Sequence, residues 1–583
     1  MSEAVTPVSA LPHPAGVSGR IALRARLLLV GALAFALGLK LVLIFRININ
    51  WDEFYYLSFV QDYLRGSVSD RFQTIHVHFF SWLPAVAESE IGQILIARAV
   101  MACCAIGSAL LLLGIARRFL SREAALFGVL GYLSTTAVIE HGTSFRTDSI
   151  ATLLVLLSLF LVLRKPGGPR GAAFAGVALA VAMLVTIKTA FYVALIGPVI
   201  WCLGAGSRDR VRLALAFGLS FGLVLGGLYM LHVFSLAQPA IGGATGYLRG
   251  TAAKVFLEDG PMPRWPELLV DIAQNPLYWF LAVQGAVIAW RAARARDTDG
   301  GWERWLPLLL AVPILTPLIY RNAFAYYYAF ILPPAAILVG LVYDRIRQSA
   351  SDARQLRSLR LLALLIVFQI GILLLRTTAN LPDAIGPQRG TLDVVHAVFP
   401  EPVPYIDGYG VVSGFPRAGF FMSSWGVDKY RDAGEPVFRD LVAKAQPPLL
   451  LADSPSLYGA LVPGVTVVPE RALLPEDVAF LQANYLQHWG MIFVAGKDLD
   501  LPVSGDATEF EIAIGGDYRL ESDAPLLIDG IMRRPGDVVT LAIGIHSIDA
   551  DPGTIHVNLR WAAALPPPPG EPTDLWTFFS ASQ

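Results

Sequence analysis

The residues with the clearest chemical potential are two adjacent acids beside a long apolar stretch. Asp52 and Glu53 lie in RININWDEFYYLSF, which directly follows the apolar run at 21–45. An ionisable residue at a membrane boundary costs free energy unless it is solvated or used. A carboxylate there can accept a proton from an attacking hydroxyl group, as a general base does. The competing interpretation is a solvated cap at the end of a membrane span.

Charged residues also interrupt several of the other apolar stretches. Arg146 and Asp148 lie in EHGTSFRTDS, Lys188 lies in VTIKTAFY, and Arg321 lies in YRNAFAYYY. Cations of this kind can bind a phosphate group and stabilise it as a leaving group. They can equally form an interfacial ion pair or extend towards the membrane surface without taking part in chemistry.

Aromatic and histidine residues accompany these charges. Tyr326, Tyr327 and Tyr328 follow Arg321 and predict an aromatic lip for a sugar or lipid head group, or an interfacial aromatic belt. His76 and His78 in IHVHFF are candidate substrate contacts. Two histidines at i and i+2 point to opposite sides of a strand, so they do not define a metal site by themselves.

The composition is typical of a protein with many membrane spans. Hydrophobic residues make up 55% of the 583 residues and charged residues 16%, whereas soluble domains carry about a quarter charged residues. Residues 1–20 are polar and lack the apolar core of a signal peptide, so we expect the first apolar run to remain as an anchor. The three cysteines lie in apolar runs and predict neither disulfides nor a cysteine zinc site. No nucleic-acid partner is expected.

Apolar stretches recur along the chain and predict a polytopic α-helical membrane domain of about eleven spans. With the N-terminus in the cytoplasm, the cytoplasmic segments hold 21 Lys and Arg residues and the opposite connections hold 10, as the positive-inside rule requires. An odd number of spans then places residues 376–583 outside the cytoplasm. The predicted spans are 21–45, 99–116, 124–139, 149–163, 171–187, 189–207, 213–236, 272–290, 305–320, 322–343 and 361–375.

Beyond residue 375 the sequence changes character. No run there is long enough to span a membrane, and the content of Pro and Gly rises. We predict an extracytoplasmic α/β region at 376–505, because buried strands such as LLLAD and MIFVAG alternate with helical stretches. Antiparallel strands such as EFEIAI and TIHVNLRW predict a β-sandwich and tail at 506–583. The other predicted parts are a cytoplasmic tail at 1–20 and a membrane domain at 21–375 with a first outer loop at 46–98.

The predicted topology places the unusual charges on one side of the membrane. The acid pair follows the first span, and Arg146, Lys188 and Arg321 lie in other outer connections. The outer loop 237–271 adds Arg249, Lys254 and Arg264. We therefore expect one acid pair and several cations to face a single outer cavity.

These residues, in this order, resemble the membrane glycosyltransferases of the C-type fold. The resemblance covers roughly 20–345 and is closest to the branch of protein O-mannosyltransferases, lipid A aminoarabinose transferases and galacturonosyl transferases. It rests on Asp52-Glu53 followed by aromatic residues, on the Arg-x-Asp at 146–148, on the Thr-x-Lys at 186–188, and on Arg321 to Tyr328 followed by Leu-Pro. The stretch at 76–80 departs from the family pattern because it lacks prolines.

The resemblance implies an inverting glycosyltransferase on the periplasmic face of a bacterial inner membrane. Its donor would be a polyprenyl-phosphate sugar and its acceptor a lipid, a glycan or a protein. Asp52 would be the base or would orient the acceptor, with Glu53 in support. Some members use a divalent metal at the first-loop acid. The remaining implied roles are donor-phosphate binding for Arg146, Lys188 and Arg321, and substrate binding for Asp148, His76, His78, Tyr327 and Tyr328.

Two other classes of function stay open on the sequence alone. A transporter or flippase for a lipid-linked glycan should show internal repeats and broken helices at mid-membrane, which the sequence does not indicate. A non-catalytic scaffold that binds glycans would leave the outer charges without a role. Turnover of a lipid-linked sugar separates the first interpretation from both alternatives.

Overall fold

A computed structural model of the chain describes residues 19–68, 72–164, 168–236, 262–295, 301–348, 355–379, 384–501, 507–550 and 556–563. Arg249 and Lys254 lie outside these residues. Of the predicted cytoplasmic tail at 1–20, only residues 19 and 20 are described, and both are helical. The chain forms two compact units. The first contains Met1–Ile47, Tyr63–Leu83 and Leu95–Pro382, and the second contains Asn48–Asp62, Pro84–Ile94 and Asp383–Gln583.

The described part of the first unit is helical. Short 3₁₀ turns such as Ile187–Thr189 and Val312–Leu318 connect some of its helices. The α-helices from the start of the chain to residue 379 are α1 (Gly19–Leu43), α2 (Trp51–Leu64), α3 (His76–Phe80), α4 (Glu90–Ala116), α5 (Arg122–Leu133), α6 (Thr136–His141), α7 (Thr147–Leu163), α8 (Pro169–Val185), α9 (Ala190–Leu203), α10 (Ser207–Ser235), α11 (Trp265–Gln274), α12 (Pro276–Arg294), α13 (Leu306–Leu310), α14 (Ala325–Ile331), α15 (Ala336–Gln348) and α16 (Gln355–Ala379).

Within the described residues, three helices are long and apolar enough to cross a membrane, namely Arg24–Leu43, Glu90–Ala116 and Ser207–Ser235. A fourth candidate is the pair Ala325–Ile331 and Pro333–Gln348, which is bent by 55° where the proline-containing turn interrupts it. Thr147–Leu163, Pro169–Val185, Ile187–Leu203 and Ala363–Ala379 are apolar but shorter. The membrane domain is therefore supported, and the count of about eleven spans stays a prediction.

Helix α15 is a packing centre of the first unit. A Cβ atom on Gly128 of α5 would lie 2.3 Å from the Ala336 carbonyl oxygen, and one on Gly285 of α12 would lie 1.9 Å from the Leu338 carbonyl oxygen. Only glycine permits such close approach of helix backbones. At the start of α5, the carboxylate of Asp344 on α15 accepts hydrogen bonds from the Ser121 N–H (2.8 Å) and the Ser121 hydroxyl (2.5 Å).

The second unit combines helices with two sheets. Its helices after residue 383 are α17 (Ile385–Val398), α18 (Ser424–Ala433), α19 (Phe438–Ala445), α20 (Pro455–Leu461) and α21 (Pro475–Asn484). Its strands are β1 (Tyr405–Ile406), β2 (Leu449–Leu451), β3 (Tyr485–Trp489), β4 (Ile492–Asp500), β5 (Thr508–Ile512), β6 (Gly516–Glu521), β7 (Leu526–Ile528), β8 (Ile531–Arg533), β9 (Val538–Leu541), β10 (Gly544–Ala550) and β11 (His556–Trp561).

A seven-stranded sheet runs β1-β2-β4-β11-β6-β9, with β3 also paired to β4. Strands β1 and β2 are parallel, and the other pairs in this sheet are antiparallel. The second sheet is antiparallel and runs β5-β10-β7-β8. Because β4 pairs with β11, the predicted regions 376–505 and 506–583 contribute strands to one sheet.

The segment that carries His76 and His78 is helical. The strand geometry predicted for the two histidines is wrong, because residues 76–80 form the short helix α3. Two residues separated by two positions are about 200° apart around a helix, so the side chains still diverge. The two rings accordingly have different partners, which are the Gln73 carbonyl oxygen for His76 and the His232 ring for His78.

Candidate functional site

Two buried cations converge on one carboxylate in the first unit. Asp148 lies in the first turn of α7, Arg146 directly precedes that helix, and Lys188 lies in the 3₁₀ turn between α8 and α9. Lys188 Nζ lies 2.7 Å from Asp148 Oδ1, and Arg146 Nε lies 3.4 Å from Asp148 Oδ2. All three residues are at most 9% exposed. The group keeps one positive charge in excess, which suits an anionic ligand such as a phosphate.

The ring of Tyr326 covers both cations of this group. The guanidinium carbon of Arg146 lies 3.6 Å from the ring centroid, and Lys188 Nζ lies 4.4 Å from it. Such contacts stabilise a cation by about 0.5–2 kcal/mol, more as the site is desolvated. Tyr326 therefore fixes the direction in which the two cations point, while leaving their charge in place.

The two tyrosines predicted to touch substrate lie deeper than Tyr326. Tyr327 and Tyr328 are 0% exposed. The Tyr327 hydroxyl lies 2.6 Å from Thr316 Oγ1, and its ring lies 4.8 Å from that of Tyr320. These contacts give Tyr327 a packing role behind the cations. Substrate contact by either ring stays a prediction.

Two further cations meet at the turn before α14, namely Arg321 of that turn and Arg264, which directly precedes α11. Arg264 Nε donates a hydrogen bond to the Arg321 carbonyl oxygen at 3.0 Å, and the Arg264 guanidinium carbon lies 4.4 Å from the Phe324 ring centroid. The rings of Phe324 and Tyr326 are stacked with centroids 6.0 Å apart. Arg264 and Phe324 thus connect the Arg321 turn to the ring that covers Arg146 and Lys188.

The predicted histidines belong to separate contacts. His76 is buried, and its Nδ1 lies 3.2 Å from the Gln73 carbonyl oxygen. His78 Nε2 lies 2.8 Å from His232 Nδ1, and His232 Nε2 lies 2.9 Å from Thr74 Oγ1. His232 of α10 therefore links the two ends of the short segment around α3.

A divalent metal does not fit the donor groups seen here. Within the described ranges, no cluster of three or more His, Cys, Asp or Glu side chains could hold an ion. Among the described residues, the two histidines also hydrogen-bond to the hydroxyl groups of Thr74 and Ser235. No step of the chemistry is therefore assigned to a metal.

The acid pair lies in the second unit, at the start of α2, inside a capping box. Asn50 Oδ1 accepts a hydrogen bond from the Asp52 N–H (2.9 Å), and Glu53 Oε1 accepts one from the Asn50 N–H (3.1 Å). This reciprocal pattern satisfies two backbone donors that a helix start leaves without partners. Glu53 is 0% exposed. The Glu53 carboxylate therefore caps the helix start, and its support of Asp52 in catalysis stays a prediction.

Asp52 occupies a different environment from its neighbour. It lies in the first helical turn, where the helix dipole favours a negative charge, and its side chain is partly exposed. A carboxylate that is held at a fixed helix start and reached by solvent can exchange a proton with a substrate. The role of Asp52 as the base stays a prediction.

Two parts of the site were missed or misplaced at the sequence level. The Asn-x-x-Glu spacing at 50–53 is a capping-box signature, so the structural use of Glu53 had a visible signal. No sequence signal shows which of the three consecutive tyrosines covers the two cations, as Tyr326 does. That choice depends on where α14 begins, since each residue turns the side chain by about 100°. That the acid pair and the cations share one cavity stays a prediction.

No protein-family model matches the chain, and no curated protein matches it. Solved structures do match. The apo oligosaccharyltransferase of Archaeoglobus fulgidus is similar over 89% of this chain and 76% of that chain, with a TM-score of 0.53 at 10% identity. ArnT from Cupriavidus metallidurans, bound to undecaprenyl phosphate, is similar over 78% of this chain and 96% of that chain, with a TM-score of 0.53 at 15% identity.

At these identities the similarity establishes the fold and leaves the activity to be argued from the site. The resemblance inferred from the sequence motifs is confirmed at this level. The chain has the fold of the C-type membrane glycosyltransferases.

Proposed function

We propose that the protein is an inverting glycosyltransferase that moves a sugar from a polyprenyl-phosphate donor to a lipid, glycan or protein acceptor. The reaction would take place on the periplasmic face of a bacterial inner membrane. The observation that carries the proposal is the buried group of Arg146, Lys188 and Asp148 under the Tyr326 ring. It occurs in a fold shared with lipid-dependent glycosyltransferases, one of which is solved with undecaprenyl phosphate bound.

The charge balance of this group suits a phosphate that leaves with the lipid. Two cations against one carboxylate leave a net positive charge in a site with little solvent. Electrostatic stabilisation is strongest where water is excluded and the donors are already in place. Lys188 and Arg146, with Arg321 from the neighbouring turn, are assigned to the phosphate of the donor.

The proposed step is a single displacement at the sugar. The acceptor hydroxyl oxygen forms a bond to the anomeric carbon, and the bond from that carbon to the phosphate oxygen breaks with inversion. The bonding electrons leave with the polyprenyl phosphate, whose added charge the cations stabilise. The hydroxyl proton passes to the Asp52 carboxylate, a contribution of about 10²–10⁴-fold in rate.

A phosphate acceptor would change the part played by Asp52. An ionised phosphate oxygen carries no proton that has to be removed, so a base would not be needed. Asp52 would then orient the acceptor, and its replacement by Asn would have a small effect. The nature of the acceptor can therefore be inferred from the size of that effect.

The test is a transfer assay with the full-length protein in lipid nanodiscs. A panel of radiolabelled polyprenyl-phosphate sugars is supplied with a lipid and glycan extract, and label in acceptor is measured. We expect Lys188→Met to lower kcat/KM for the donor about 10²-fold, because one stabilising charge is lost. The matched control is Lys444→Met, which removes an exposed lysine of α19.

Two results would contradict the proposal. One is equal transfer by Lys188→Met and Lys444→Met. The other is movement of the labelled lipid across sealed vesicles by the wild-type protein without formation of a new glycosidic bond. The second result would favour a transporter.

A further inference from the structure

The residue that precedes the acid-bearing helix is held by a buried glutamine of the same compact unit. Gln388 lies in the first turn of α17 and is 0% exposed. Its Oε1 accepts a hydrogen bond from the Ile49 N–H, and its Nε2 donates one to the Ile49 carbonyl oxygen, both at 2.8 Å. Two bonds from one planar amide fix both the position and the orientation of the backbone. Ile49 directly precedes Asn50, which caps α2.

Two aromatic stacks hold the first turns of α2 from another direction. The rings of Tyr55 and Phe421 are stacked with centroids 3.8 Å apart and planes 19° apart. The rings of Trp51 and Tyr409 are stacked at 5.2 Å and 21°. Trp51 and Tyr55 lie on either side of Asp52 in sequence, so these stacks restrict the rotation of α2 about its axis.

The loop that supplies these rings is itself fixed. Asp453, which follows β2, accepts hydrogen bonds from the Gly408 N–H (2.6 Å) and the Tyr409 N–H (3.2 Å). Burial raises the pKa of the Asp453 carboxyl. Gly410 has a φ of 76°, and a Cβ atom there would lie 3.2 Å from Ser58 Oγ on α2. The turn at 407–411 therefore lies close against the acid helix.

We propose that Gln388 and Phe421 are positioning residues for Asp52, through which the C-terminal part of the chain orients the acid used in transfer. The inference rests on the proposed function, because it assigns a role only if Asp52 takes part in the reaction. It gives the C-terminal region a catalytic purpose that its sheets alone do not indicate. A displacement of about 1 Å at a reacting group can cost about 10²-fold in rate.

The experiment compares two variants with two matched controls in the transfer assay on the full-length protein. Phe421→Leu removes the stack on Tyr55, and Phe420→Leu removes a neighbouring ring that stacks on Tyr430 at 5.1 Å. Gln388→Leu removes the two bonds to Ile49. Gln482→Leu removes a comparable bond to the Ala460 carbonyl oxygen at 2.7 Å. We expect Phe421→Leu and Gln388→Leu each to lower kcat about 10–100-fold with the donor KM unchanged. The controls Phe420→Leu and Gln482→Leu should retain the wild-type kcat.

A double-mutant cycle with Asp52→Asn separates positioning from loss of stability. If Phe421 and Gln388 act through Asp52, their replacement has no further effect on kcat in the Asp52→Asn protein. Phe421→Tyr keeps the stack and should restore kcat. Hydrogen exchange at the amides of 50–62 should increase in Phe421→Leu and Gln388→Leu and stay unchanged in both controls.

The inference is overturned if the variants and their controls lose activity equally, or if the loss persists undiminished in the Asp52→Asn background. With a hydroxyl acceptor, an Asp52→Asn protein with wild-type activity would instead refute the role of Asp52 in the proposed function. That result would also refute the positioning role of Gln388 and Phe421. The two failures are therefore distinguishable.

Discussion

At the scale of single residues, the site depends on how one carboxylate is shared. Asp148 is paired with both Lys188 and Arg146, and all three groups are buried. Removing one member of a buried charge group typically costs about 3–5 kcal/mol, because the remaining charge loses its partner. Asp148 thus holds the two cations in place and balances part of their charge, which is a sufficient reason for its position beside them.

The Tyr326 ring provides a test of this arrangement. We expect Tyr326→Leu to lower kcat/KM for the donor about tenfold, because Arg146 and Lys188 lose the ring that orients them. Tyr326→Phe keeps the ring face and should stay within about twofold of wild type. Steady-state transfer rates at varied donor concentration measure both. Equal losses in the two variants would show that the hydroxyl group, and not the ring face, is what matters.

Sequence reasoning reached the residue types of this site but not their pairing. Arg146, Asp148 and Lys188 were identified from their places in the apolar pattern. The bond between Lys188 and Asp148 joins residues 40 positions apart, and it depends on how α7, α8 and α9 pack. No local pattern carries that information. The same holds for Gln388, which is 339 positions from the residue that it holds.

At the scale of elements, the start of α2 determines what each acid can do. Asn50 and Glu53 form the capping box, so the Glu53 carboxylate serves there as a hydrogen-bond acceptor. A glutamine side chain can accept the same bond from the Asn50 N–H. We therefore expect the two adjacent acids to have separate roles, one structural for Glu53 and one chemical for Asp52.

Replacement of Glu53 tests this separation of roles. We expect Glu53→Gln to retain transfer within about threefold of wild type, because the cap is kept. Glu53→Ala should lose about 0.5–2 kcal/mol of stability and a larger share of kcat, since the helix start loosens. Thermal unfolding and transfer rates measure the two effects. Inactivity of a stably folded Glu53→Gln protein would assign Glu53 a catalytic charge.

The elements themselves were predicted with uneven success. Strands lie in the segments LLLAD, MIFVAG, EFEIAI and TIHVNLRW, where apolar alternation and turn residues marked them. The pairing of β4 with β11 joins two regions that the sequence presented separately. Strand pairing over such a distance depends on the whole sheet, so periodicity does not determine it.

At the scale of the whole molecule, charge distribution predicts sidedness. The predicted cytoplasmic connections hold about twice as many Lys and Arg residues as the outer ones. With the C-terminal region outside, a single cysteine introduced there should react with an impermeant maleimide in intact cells. A cysteine in the 208–212 segment should react only after the membrane is opened.

We expect this pattern from Asp523→Cys and Arg208→Cys, both at exposed positions, in a background without the native cysteines. Mass-tag labelling of whole cells and of broken membranes makes the measurement. Labelling of Arg208→Cys in intact cells, with protection of Asp523→Cys, would show that the topology is the reverse of the predicted one. It would place the C-terminal region in the cytoplasm.

The most direct test of the account is the transfer rate of Asp52→Asn at saturating donor, with the acceptor identified from the extract. For a hydroxyl acceptor we predict a loss of about 10² or more in kcat with unchanged donor KM, because the proton of the attacking group has no acceptor. The Asn side chain keeps the size of Asp52 and leaves the capping box intact. Wild-type kcat in this variant with a hydroxyl acceptor would contradict the assignment of Asp52 as the base.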